Sequence, residues 1–215
     1  MQPIVIFKTD IKWSKEWIMF LHRAIIFVLL VFLCSSAFAQ RPGPQFRRPL
    51  ACEPVEPRTK LEAIEWQYER VLIKGFSQIA TFTARDVEVR IDAVELKDTA
   101  SATRAIGLVI ALKEAGENPH ENRAFIDYEE IPKLLEAMTS IGRVNESVTK
   151  LASFEARYRT LGDLELIVFR QSRSGVAASV TAGICDRVTA PLSLDDLDRL
   201  KAHIVEAKTR LDEIK

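Results

Sequence analysis

The feature that most limits how this chain can fold is a period-two alternation of apolar and charged side chains. Val87-Glu-Val-Arg-Ile-Asp92 puts valines and isoleucine on one face and charges on the other, the pattern of a strand covered on one side. Strands of this kind leave apolar faces that a second layer must cover, so the chain reads as packed sheets and helices. After Asp92 the phase slips, because Val94 and Leu96 are apolar behind Ala93, and a bulge near Asp92–Val94 accounts for it.

Six further segments read as strands. One runs through Gly75 towards Phe82, one carries Ile106, Leu108, Ile110 and Leu112, and a short one spans Arg123–Ile126. The others are Phe154–Arg159, Asp163–Arg170 and Gly175–Ile184, the last following a tight hairpin loop at Ser172-Arg-Ser-Gly175. Residues 60–74 support two readings. Thr59-Lys-Leu-Glu62 is a capping box, which favours a short helix, while the alternating Ile64, Trp66 and Tyr68 and the run Val71-Leu72-Ile73 favour a strand. The expectation is a brief helical turn and then a strand.

Two helices stand out. One opens around Asp127-Tyr-Glu-Glu130, carries Ile131, Leu134, Leu135, Met138 and Ile141 on one stripe, and stops at Gly142; Pro132 must lie in its first turn. The other begins at the capping box Ser193-Leu-Asp-Asp196 and carries Leu194, Leu197, Leu200, Ile204, Ala207, Leu211 and Ile214. The two echo each other: Tyr128-Glu-Glu-Ile-Pro-Lys-Leu134 aligns with Leu194-Asp-Asp-Leu-Asp-Arg-Leu200. Duplication of a β-β-β-α unit is one explanation, and the shared habits of capped amphipathic helices are the other. The fold class expected is α+β: about seven antiparallel strands, one helix after the fourth, and a long C-terminal amphipathic helix.

Residues 1–39 read as a secretory leader. Ala24–Leu33 is an apolar core behind His22 and Arg23, and Ser35-Ser-Ala-Phe-Ala39 is a small-x-small cleavage site. An uncleaved anchor is the competing reading, although the core is half the roughly 20 apolar residues that span a bilayer. Met19 is an alternative start to Met1. Removing 39 of 215 residues leaves 176, enough for one domain with a core. The leader takes four of 30 basic and two of 30 acidic residues, so the exported chain carries a net charge of −2 and gives no electrostatic pull towards nucleic acid. Residues 40–58 hold five of nine prolines and read as a tether, with a single domain over 59–215. Cys52 and Cys185 remain after export, and in an oxidising space they are expected to form a disulfide; two unrelated thiols are the alternative.

Candidate chemistry is sparse. Asp127, Glu129 and Glu130, and separately Asp195 and Asp196, are paired carboxylates suited to acid–base or metal work, but their places at helix starts explain them as caps and first-turn acids. His120 lies in a polar loop between Glu117 and Glu121, and His203 lies on the last helix; neither meets a nucleophile pattern. Arg157, Arg159, Arg170 and Arg173 form either a basic patch or, with Glu155, Asp163 and Glu165, ion pairs on a solvated face. Asn145-Glu-Ser147 matches a glycosylation sequon. No cofactor, metal site or catalytic residue is expected.

Two resemblances bear on function. Phe125-Ile-Asp-Tyr-Glu-Glu-Ile131, with Thr149–Thr160, Gly162-Asp-Leu164 and Ser193–Leu197, resembles a group of small exported bacterial proteins of unknown function, across most of residues 59–215. That likeness implies export but no activity, and Pro132 departs from it, where a polar residue is expected. Strands followed by a helix, twice over, are similar in topology to Whirly-type single-stranded DNA-binding proteins. The function expected is a non-enzymatic protein of the periplasm or cell exterior, binding a small ligand or protein and, once its leader is cleaved, no membrane. The alternatives are a hydrolase with an unrecognised carboxylate site and a single-stranded nucleic-acid binder, which needs a basic, aromatic-lined sheet face.

Overall fold

The computed structural model describes residues 56–145, 147–171 and 175–215, all within the compact unit Ala51–Lys215. The expected leader, most of the tether, Cys52 and Arg173 lie outside the described residues, so the Cys52–Cys185 pairing does too. No described helix is long and apolar enough to cross a membrane.

Over the described residues the fold is α+β, with eight antiparallel strands in two sheets and three helices. A short helix, α1 (Lys60–Glu65), precedes β1 (Leu72–Ala84), β2 (Val87–Asp98), β3 (Arg104–Glu114) and β4 (Glu121–Asp127), which form one sheet in chain order. A 3-10 turn at Tyr128–Glu130 leads into α2 (Ile131–Gly142). The second sheet follows, again in chain order: β5 (Glu155–Arg159), β6 (Leu164–Gln171), β7 (Gly175–Ala182) and β8 (Val188–Leu192). Helix α3 (Leu194–Asp212) comes last.

The structure has one strand more than the expected number of about seven. β8 is five residues long and contains Pro191, which pairs with Ser179 at the open edge of the sheet. A proline cannot donate to a ladder, so it reads as a strand breaker in sequence, yet an edge strand has one side that needs no donor. β7 correspondingly ends at Ala182 rather than Ile184.

One continuous core takes the inner faces of both sheets and the buried stripes of α2 and α3. β6 contributes Leu164, Leu166 and Val168, β7 contributes Ala178, Val180 and Ala182, and β8 contributes Val188, Ala190 and Leu192. The stripe of α3 is shorter than its sequence pattern. Leu197, Leu200, Ile204, Ala207 and Leu211 are buried, while Leu194 and Ile214 stay exposed. A smaller core lies on the outer face of the first sheet, where Leu61 and Ile64 of α1 cover Val94, Leu96, Ala105, Val109 and Phe125.

That second core explains the phase slip in β2. Val87, Val89, Ile91 and Ala93 face the main core, and Val94 and Leu96 face α1. The covered side changes along one regular strand, and β2 pairs with β3 without interruption from Val87↔Glu114 to Lys97↔Arg104. The irregularity lies in the other neighbour, where Ile79 of β1 is the extra residue between Gln78↔Asp92 and Ala80↔Ile91. Close packing of α1 also needs Gly107, because a Cβ there would come within 2.1 Å of the Ile126 carbonyl and 2.8 Å of Leu61. Gly142 departs from its expected role: it is the last helical residue, and α2 ends in bonds from Arg143 N to Ser140 O (3.3 Å) and from Val144 N to Ile141 O (3.0 Å).

Candidate functional site

Three connections meet where β4 ends, and acids hold them together. Thr59 and Glu62 form the expected capping box of α1, with Glu62 N donating to Thr59 Oγ1 at 3.1 Å and Thr59 N to Glu62 Oε2 at 3.0 Å. Asp127 does not cap the helix it precedes. Its two oxygens instead accept from Lys60 N (2.8 Å) and Leu61 N (3.1 Å), the free first-turn donors of α1. Glu130 Oε1 accepts from Leu161 N at 3.0 Å and fastens the β5–β6 connection, where Gly162 pairs with Phe125 of β4. Asp163, at positive φ, accepts from Arg58 at 3.1 Å and from Arg159. Outside this knot, Glu129 pairs with Lys60 at 2.9 Å, which lowers the pKa of the acid and raises that of the lysine.

The electrostatics single out Glu130. Burial pushes its pKa above the ordinary carboxylate value, and the charges of Asp127 and Glu62 add to this against the N–H bond from Leu161. Its second oxygen is buried with no hydrogen-bond partner among the described residues, as is the second oxygen of Asp163. Glu130 is thus a carboxylate whose protonated form its surroundings favour.

The other candidates are dispersed. His120 and Asp127 sit at opposite ends of the seven-residue β4, roughly 20 Å apart at a strand's rise per residue. His120 Nε2 meets the Asp186 carbonyl at 2.5 Å, and Asn122 donates to the Cys185 carbonyl at 2.7 Å, so this loop ties the first sheet to the β7–β8 turn. Glu121 lies 3.6 Å from both Arg90 and Arg123. Asp196 closes the α3 capping box with Ser193, and Asp195 is exposed. His203 stacks on Phe82 with ring centroids 6.2 Å apart and lies 3.4 Å from Glu206. Arg157 pairs with Glu155 at 2.5 Å and approaches Glu165 at 3.6 Å, and Arg170 donates to the Ala152 carbonyl at 3.2 Å. Asn145 folds back on Ser147 in an exposed turn. Among the described residues no three His, Cys, Asp or Glu side chains gather at metal-binding distance.

A second place carries an unusual surface that the sequence pattern did not single out. β1 is the edge of the first sheet, and its first half is exposed on both faces. Tyr68 is 90% exposed, Val71 69%, Ile73 54%, Phe76 69% and Trp66 37%. Single exposed apolar residues are ordinary, but a run of them at an open strand edge is a patch. Lys74, Arg90 and Arg123 surround Phe76 on the outer face. Their charges are met by acids: Lys74 by Glu65 at 3.1 Å, Arg90 by Asp92 at 3.1 Å, and Arg123 by Glu121 at 3.6 Å. The signal was present in the run Val71-Leu72-Ile73, but the same run suits a buried strand equally well. Compared with known proteins, the chain matches no family model and no curated protein.

Proposed function

We propose that this chain is a small exported protein that acts by binding a protein partner in the periplasm or at the cell exterior, and not by catalysis. One observation carries the reading: the edge strand β1 exposes Ile73 on one face and Phe76 on the other, after the exposed Trp66, Tyr68 and Val71, and the described residues leave these apolar side chains uncovered. The arrangement of the acids supports it, since Asp127, Glu62, Glu130 and Asp163 each hold a backbone or guanidinium group in place. The test is a photo-crosslinking side chain placed at Phe76 in cells that export the full chain. A discrete protein adduct is expected from Phe76 and none from a control at Glu117. Absence of any adduct at Phe76 overturns the reading.

An acid–base enzyme is the second reading, and Glu130 favours it through its raised pKa and partnerless oxygen. It predicts that Glu130→Gln abolishes a turnover found on a panel of ester, amide and glycoside substrates; a turnover untouched by that change ends it.

A further inference from the structure

We infer that the partner of the β1 edge is a second copy of this chain, joined through an antiparallel β1–β1 pair that makes one continuous eight-stranded sheet across two protomers. The inference rests on the binding role proposed above and specifies its partner. A strand is the occupant that the geometry fits. The exposed apolar residues lie on both faces of β1, Ile73 on the side of the main core and Phe76 on the outer side, and only an element added along the edge covers both. The free stretch is short. It runs from Leu72 to Gln78 and is closed by the extra residue at Ile79, where the ladder with β2 is interrupted.

The registers that pair most of that stretch with itself are those centred on Lys74, Gly75 and Phe76. A two-fold axis perpendicular to the sheet pairs residues of the same face, so it must pass through a residue and not between two. Centred on Lys74 it sets two ammonium groups opposite each other, which disfavours pairing. Centred on Phe76 it drives Leu72 and Ile73 against the irregularity at Ile79 and Ala80. Centred on Gly75 it sets Leu72 opposite Gln78, Ile73 opposite Ser77, and Lys74 opposite Phe76 of the second copy, twice over. Each Lys74 then lies across from an aromatic ring, a favourable meeting for a cation, and Gly75 meets its own copy where side chains are absent. Lys74 also contacts Glu65 of α1 at 3.1 Å within its own protomer.

The register has a signed consequence. Phe76→Lys places an ammonium group opposite Lys74 twice, and Phe76→Glu places a carboxylate opposite Lys74 twice. Both change an exposed side chain, so the fold of each protomer is expected to persist, and circular dichroism verifies it. Sedimentation equilibrium on the exported chain is expected to show a dimer. The F76E variant should dimerise about tenfold or more tightly than the F76K variant, given the spread of cross-strand pair energies. Gly75→Cys supplies an independent readout. A Cβ at Gly75 finds its nearest neighbour at 3.8 Å, so cysteine is accommodated, and oxidation should yield a covalent dimer that Phe76→Lys suppresses. A monomer at the highest soluble concentration, or equal dissociation constants for F76K and F76E, overturns the inference. A crosslinked adduct at Phe76 to some different protein, combined with a monomeric chain, overturns the second copy alone and leaves the binding role standing.

Discussion

At the scale of single residues, Glu130 and Asp98 show how two carboxylates are shifted in opposite directions by their surroundings. Asp98 is almost fully buried. It accepts from Ser101 Oγ at 2.5 Å, from Ala100 N at 2.9 Å and from Arg70 at 2.6 Å, and its pKa is held at about 2, the serine hydroxyl being the largest cause. A folded pKa below the unfolded value of about 4 means that the group stabilises above that value and loses its contribution as pH falls towards 2. The urea midpoint of wild type should therefore drop between these limits, while that of Asp98→Asn should start lower at pH 7 and change less. Glu130 has the opposite sign. Its raised pKa makes the folded state more stable when the group is protonated, so stability declines as pH rises through the folded value. Glu130→Gln keeps an acceptor for Leu161 N and removes the half-buried charge, so the melting temperature at pH 8 should hold or rise. Glu130→Ala removes that hydrogen bond at an exposed N–H and should cost about 0.5–1.5 kcal/mol in chemical denaturation.

At the scale of elements, the capping boxes of α1 and α3 and the first-turn position of Pro132 were legible because they depend on neighbours within four residues. Asp127 was not, for the converse reason. An acid before a helix implies a local cap, but this one serves α1, 67 positions away from Lys60 in sequence, and nothing local encodes that. Asp127→Ala should therefore loosen α1 rather than α2. The expected cost is about 1–2 kcal/mol in urea unfolding, with faster hydrogen exchange at Lys60 and Leu61 and little change in α2. β8 escaped the pattern because Pro191 breaks a strand by propensity, and only its edge position makes it admissible.

At the scale of the whole molecule, two four-stranded sheets, each followed by a helix, close around one core, and the β4 edge is stitched to the β5–β6 connection through Phe125 and Gly162. A Cβ at Gly162 would come within 1.9 Å of the Phe125 carbonyl, so Gly162→Ala should force the two sheets apart and cost about 3 kcal/mol or more, read as a lower midpoint with an unchanged secondary-structure spectrum. Export carries its own expectation. The intact mass of the secreted chain should begin after Ala39 and should rise by about two hydrogens on reduction if Cys52 and Cys185 are joined, a closure worth about 4–5 kcal/mol in the chain-entropy picture.

What the sequence determined by itself was the class of structure: alternating strands, two amphipathic helices, the last of them capped at Ser193, and the need for layers to cover apolar faces. These follow from periodicity, which each segment carries within its own few residues. What only the tertiary structure decided was which face of β2 is covered at each point, which helix Asp127 serves, and that the described residues leave the first half of β1 open. Those depend on what packs against a segment from far along the chain, and a strand's own alternation is the same whether its edge meets a neighbour or water.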